Sequence, residues 1–169
     1  MKKIIFFIII IILIAIATVL ISVKIFAISG NSMESSLKDK EKVLVLKYVN
    51  FLGKLQRGDI ILIEKDNKLM IKRIIALPKE KIEINEGKII INDQLLLESY
   101  VNDFYTYGNQ RIFLADGQYF VLGDNRKANE SIDSRIFGPV TERAIRGKVL
   151  GIFSPNLKII KPPLYKLGS

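Results

Sequence analysis

LMIKRIIAL, residues 69–77, is the stretch on which the fold turns. Read as a strand, its alternation places Met70, Lys72, Ile74 and Ala76 on one face and Leu69, Ile71, Arg73, Ile75 and Leu77 on the other. Each face is apolar except for one cation. Lysine is rarely fully buried without a partner, and burial lowers its pKa because the ammonium loses hydration. A lysine brought down by ~2 to 3 units, at a cost on the order of 3 to 4 kcal/mol, becomes useful as a base near neutral pH. Lys72 is therefore a candidate neutral amine. An internal strand lysine more commonly guards a sheet edge or snorkels to water, so this stretch alone does not assign chemistry.

Outward from it the chain reads as β-rich. Apolar, β-branched runs recur at 42–48, 59–65, 81–85, 88–92, 118–123 and 147–153, separated by Gly and Asn/Asp clusters. Asn85-Glu86-Gly87 between two alternating runs predicts a hairpin. No stretch beyond the N-terminus keeps a helical period, and no internal repeat is present. The ending KPPLYKLGS, residues 161–169, reads as a loose tail.

The N-terminus is of another kind. Residues 4–23 carry no charge, Pro or Gly, and 20 helical residues cover about 30 Å, the thickness of a bilayer core. They predict a transmembrane helix after a short cytoplasmic tail, residues 1–3. A cleavable secretory signal is the alternative, but its apolar region is only about 7 to 15 residues long and ends in small residues, which this one lacks. Lys2 and Lys3 favour a cytoplasmic N-terminus, which places residues 28–160 as an extracytoplasmic domain. The chain carries a formal charge of +9. Beside a bilayer that charge favours an anionic lipid surface over nucleic acid, for which no motif appears. A solvated basic surface is the plainer reading.

Two absences restrict the chemistry. With no Cys among the 169 residues there is no thiolate nucleophile and no disulfide; with no His there is no Ser-His-Asp triad. Two further stretches then matter. SGNSMESSL, residues 29–37, presents Ser32 just beyond the apolar run, and FVLGDNRKANESIDSRIFGPV, residues 120–140, joins acid/base pairs to hydroxyls in one polar segment. Blandly read, the second is a turn and a solvated loop; it also suits a rigid hydrogen-bonded scaffold around a polar site.

Together, anchor, SGNSMESSL, RGDIILIE (57–64), MIKRIIALP (70–78) and GDNR…SIDSR (123–135), in that order and spacing, resemble the bacterial type I signal peptidases, S26-family Ser/Lys membrane endopeptidases. The resemblance implies Ser32 as nucleophile, Lys72 as general base, and Ser131 as the hydroxyl that orients the lysine, with Asn129 the rival if the loop is counted from GDNR. It implies ion pairs Arg73–Asp124 and Asp133–Arg135, room for a substrate backbone at Gly30, the Ser32 N–H as oxyanion donor, and Met33 packed beneath. It also implies a mostly β fold, an antiparallel catalytic sheet beginning near residue 28 with a small hairpin insertion over 79–117. The protein would be a monomer acting on signal peptides of exported preproteins with small residues at −1 and −3, with no cofactor and no metal. Ser35-Ser36 stands where the family usually has Pro-Thr, which predicts a looser turn, and the segment from Arg126 to Ser131 is two residues longer than usual. Rivals are a cytoplasmic self-cleaving repressor-type peptidase, an anchored pseudo-peptidase or pilus-assembly homologue acting by binding, and a lipid-binding β-domain.

Overall fold

The computed structural model describes residues 2–47, 54–101, 105–163 and 165–168. Met1 and Tyr48, the latter ending an expected strand, lie outside them. The chain begins with α1 (Lys2–Ser22), whose side chains at 15–20 are also outside the description. Among the described residues no helix is long and apolar enough to cross a membrane. The helix ends one residue before the apolar run does, because Val23 already pairs in a sheet.

The strands follow in order: β1 (Val23–Ala27), β2 (Lys42–Leu46), β3 (Ile60–Lys65), β4 (Lys68–Ala76), β5 (Lys81–Asn85), β6 (Lys88–Ile91), β7 (Gln94–Leu97), β8 (Gln110–Phe113) and β9 (Gln118–Leu122). The one-turn helix α2 (Ser134–Phe137) precedes β10 (Val140–Thr141), β11 (Ile145–Ser154), β12 (Lys158–Ile159) and β13 (Lys166–Gly168). Every pairing is antiparallel. The larger sheet runs β1-β2-β11-β3-β4-β9-β10, with β12 on β11; the smaller runs β13-β7-β6-β5-β8.

Three differences from the sequence expectation have physical causes. The catalytic sheet begins at Val23 rather than near residue 28, since Val23–Ala27 matches Leu46–Lys42 residue for residue. The region 79–117 is larger than a hairpin: β5 and β6 form the expected hairpin around Glu86-Gly87, but β7, β8 and the C-terminal β13 extend it to five strands. The residues read as a loose tail thus return to the molecule, where β13 pairs with β7. Prolines at 162 and 163 delay that pairing without preventing it.

β4 is central and buried toward its C-terminal end. Met70 and Ile74 pack with Ile61, Ile63, Tyr119 and Val121, whereas Ile71 packs with Ile60, Leu62 and Met33. A register shift between Ile74 and Ala76 breaks strict alternation, so Ile75 and Ala76 both enter a further core with Ile82, Ile84, Leu114 and Phe120. One consequence concerns the edge. Pairing with β9 starts at Arg73↔Leu122, which leaves the β9-side edge of Leu69–Lys72 without a strand among the described residues.

Candidate active site

Beside that open edge lies the turn carrying Ser32. Its backbone closes on itself through Glu34 N–H to Asn31 O at 2.9 Å and Leu37 N–H to Met33 O at 2.9 Å. Met33 and Leu37 are pegged into the core beside Val43, Val45 and Ile60. Burying two such side chains contributes about 1.5–3 kcal/mol each, enough to hold the polar residues between and before them in place. The Ser32 carbonyl also accepts from Asn125 N–H at 3.1 Å, which ties the turn to the segment leaving β9.

Lys72 reaches the turn from β4. Its Nζ donates to Ser32 Oγ at 2.8 Å, and the residue is 3% exposed. Among the described residues no carboxylate lies within ion-pair distance of it. Burial is therefore the main influence and lowers its pKa from 10.5 to about 8; Asp133 and Asp124 pull it upward, Arg135 downward. A substantial minority of the amine is neutral at physiological pH.

The two aspartates have guanidinium partners. Arg73 donates to Asp124 from Nε at 2.8 Å and Nη2 at 2.6 Å, to Gly58 O at 2.8 Å and to Ser36 Oγ at 2.9 Å. Asp133 accepts from Arg135 Nε at 2.8 Å and Nη2 at 2.7 Å, and from Gly123 N–H at 3.0 Å. Burial pushes the Asp133 carboxyl up, but Arg135 outweighs it and holds the pKa below the usual carboxylate value.

Ser131 is 4% exposed and lies against Gly123, while Asn129 is exposed in a left-handed turn with φ +63°. Gly123 could carry no side chain, since a Cβ there would meet both the Ser131 hydroxyl and the Ser32 carbonyl. The Ser131 hydroxyl is near enough to help lower the Asp133 pKa, but its Oγ makes no well-formed hydrogen bond. Of the two candidates for orienting the lysine, only Ser131 stands beside the Ser32 backbone. Gly30 is open on its Cβ side, with φ +91°, and its N–H is held by Asp39 Oδ1 at 2.9 Å.

A cleft of about 170 Å³ adjoins the pair, lined by Phe26, Ile28, Met33, Leu62 and Ile71 as well as Ser32 and Lys72. A larger cavity of about 480 Å³ lies against Leu95, Leu97 and Val101 in the smaller sheet, but it shares no lining residue with the cleft, and among the described residues its Lys88 makes no hydrogen bond to Ser99 or Thr106. Chemistry, not size, selects between them.

Residues 1–154 match the signal peptidase family, peptidase S26. The chain belongs to that family. It is 36% identical over 148 residues to signal peptidase I U of Bacillus subtilis (strain 168), covering 80% of this chain and 78% of that protein. Against signal peptidase I of Bacillus amyloliquefaciens the identity is 32% over 147 residues, covering 80% and 78%. A crystal structure of a signal peptidase I from Enterococcus faecalis V583 is similar with 33% identity and a TM-score of 0.50, covering 56% of this chain and 96% of that one.

Within this signal peptidase family member, the Ser35-Ser36 departure is not loose. Ser35 Oγ donates to Tyr100 O at 2.7 Å, and Ser36 Oγ accepts from Arg73. Sequence reasoning missed Tyr100, Tyr165 and Glu98, which surround the Arg73 side of the site. Arg126 was visible in GDNR but without a role; it is buried and pairs with Glu98 at 2.5 Å. Tyr100 donates its hydroxyl to Glu98 two residues away, but the partners that tie the two to the site, Arg126 and Ser35, lie 28 and 65 residues away, and no local pattern marks them.

Proposed function

We propose that the protein is a membrane-anchored serine endopeptidase that removes N-terminal signal peptides from exported preproteins, with Ser32 as nucleophile and Lys72 as general base. The observation carrying this reading is the 2.8 Å hydrogen bond between Lys72 Nζ and Ser32 Oγ in a buried setting that lowers the lysine pKa to about 8. Neutral Lys72 takes the Ser32 proton as Oγ adds to the scissile carbonyl. The Ser32 N–H donates to the resulting oxyanion. The ammonium then returns its proton to the departing amine, leaving an acyl-serine. Lys72 next deprotonates a water, which adds to the acyl carbon; the bond from that carbon to Ser32 Oγ breaks, the Lys72 ammonium returns its proton to Oγ, and the signal peptide leaves with a new carboxylate. The Ser131 hydroxyl, buried beside Gly123 without a well-formed hydrogen bond of its own, is left to take up the amine and orient it during turnover, while Asp124–Arg73 and Asp133–Arg135 hold the frame.

The substrate lies extended between residues 26–29 and the open edge of β4, an arrangement that strand addition favours. Alternation sends the side chains at −1 and −3 to one side, and the 170 Å³ cleft is below the roughly 300–1,000 Å³ of ordinary ligand pockets, so both must be small. The anchoring is supported by α1 itself. Its described apolar residues Ile4, Ile5, Phe6 and Phe7 are more than half exposed, a surface that water does not favour and a bilayer does. Lys2 and Lys3 favour a cytoplasmic N-terminus, with the sheets outside. The protein purified in detergent is expected to convert a preprotein to its mature form, with N-terminal sequencing placing the cut after a small residue. Binding without cleavage would favour the pseudo-peptidase instead.

A further inference from the structure

The Arg73 side of the site is completed by a residue far from the site's own segments. Tyr165, just before β13, packs its ring against the Gly58 backbone, so closely that a Cβ on Gly58 would collide with the ring and with Pro163. Gly58 O is one of the acceptors of Arg73. Tyr165 also stands edge-on to Tyr100, with ring centroids 6.0 Å apart at 83°, and its hydroxyl bonds the Tyr100 hydroxyl at 3.2 Å. Tyr100 in turn lies under the Arg73 guanidinium, 4.0 Å from ring centroid to Cζ, and its backbone carbonyl takes the Ser35 hydroxyl. The C-terminal segment thus touches two supports of Arg73, and Arg73 holds both the Ser32 turn, through Ser36, and Asp124.

We infer that Tyr165 is a positioning residue for the Ser32–Lys72 pair, acting through Tyr100 and Gly58 on Arg73, so that docking of the C-terminal segment sets the geometry of the catalytic centre. The inference rests on the proposed Ser/Lys reading. Its physical content is a clamp: an aromatic face and a fixed carbonyl hold the guanidinium flat against Asp124 and Ser36. Without Tyr165, Tyr100 is held at its hydroxyl end, by Glu98 and Arg126, but its ring loses the edge-on support beneath the guanidinium, Arg73 slackens, and the serine drifts from the lysine. A small displacement there lowers turnover more than binding. A second signature is electrostatic. The groups facing Lys72 are Ser32 from the turn, Asp124 after β9, Asp133 and Arg135 at α2, and Arg73 is its neighbour on β4. Because Asp124 favours the ammonium, loosening Arg73 from Asp124 should raise the Lys72 titration midpoint.

The test uses the full chain in detergent, comparing Tyr165→Ala, Tyr165→Leu and Tyr165→Phe for kcat, KM, the pH midpoint of kcat/KM, and the Lys72 Nζ titration followed by NMR. Tyr165→Ala should lower kcat by about tenfold with KM within about twofold, and raise both midpoints by on the order of half a pH unit. Tyr165→Phe, which keeps the ring on Gly58 and Tyr100, should recover most of the loss. Tyr165→Leu keeps apolar bulk without the ring and should behave as the Ala variant; it replaces that variant if Ala prevents folding. Unchanged kcat and midpoints in a folded Ala or Leu variant, with only the melting temperature reduced, overturn the inference. If the wild type leaves the preprotein uncut while the Lys72 titration still moves, the functional reading fails and the coupling stands.

Discussion

Lys72 and Arg73 are neighbours on β4, equally buried at 3% exposure, and the two faces of the strand treat their cations in opposite ways. Arg73 has its donors on a carboxylate, a carbonyl and a hydroxyl, with an aromatic ring below. Among the described residues the Lys72 amine has one hydrogen bond, to a hydroxyl. Burial is the same, so the group and its partners decide: a guanidinium, which keeps its charge, is matched donor for donor and serves as structure, while an under-matched amine gives up its proton more readily and suits a base.

The sharpest way to break this contrast is to exchange the roles. Lys72→Met and Ser32→Ala should each reduce preprotein processing by about 10³-fold or more, and the double variant should be no worse than either. Lys72→Arg should be equally inactive, because a guanidinium cannot deprotonate. Stability separates the faces. The folded chain keeps Lys72 at a pKa lowered from 10.5 to about 8, so at pH 7 burial of its ammonium costs on the order of 3 kcal/mol. Lys72→Met should therefore match or exceed the wild type in urea unfolding at pH 7. Between about pH 8 and 10.5 the unfolded chain binds the proton that the folded one has released, so the wild type should gain stability with rising pH and close the gap. A marked loss of stability in Lys72→Met at pH 7 would erase the distinction.

Arg73→Met should do the reverse. Stranding the buried Asp124 carboxylate should cost about 3–5 kcal/mol, read in the same unfolding experiment. Ser131→Ala should lower kcat by about 10²-fold with little change in stability, whereas Asn129→Ala, on an exposed turn, should be nearly silent. The smallest effect is graded by pH: kcat/KM should rise about tenfold per unit through pH 6 and 7 and level off above about 8. A profile flat below pH 7 would remove Lys72 as the titrating base.

The same contrast explains what could be read in advance. Lys72 was legible because alternation is local, and an apolar strand face with one lysine states its own problem. Ser32 was legible from its short motif beyond the apolar run. Arg73's full cage was not, because Tyr100 and Tyr165 lie in stretches whose local pattern is unremarkable and whose contacts span 65 residues. The early start of the sheet escaped for a related reason: Val23–Ala27 follows the apolar run without any turn signal, and only its match to β2 makes it a strand. Prolines in the final segment pointed to looseness, yet Tyr165 and β13 find partners there.

α1 passes into β1 with no residue between them: Ser22 ends the helix, Val23 pairs with Leu46, and the Ser22 carbonyl takes the Lys47 N–H at 2.9 Å. On the proposed anchoring this joint works as a depth gauge. A helix seated in the bilayer and a five-residue strand rising about 3.3 Å per residue put the far end of β1 roughly 17 Å along from the helix end, at a height the protein cannot adjust by flexing a linker. The bond presented to Ser32 is then chosen partly by how far an arriving peptide protrudes from the same bilayer. Lengthening that peptide's apolar helix by one turn shifts its register by about 5.4 Å, more than one extended residue, and carries a different bond to the serine.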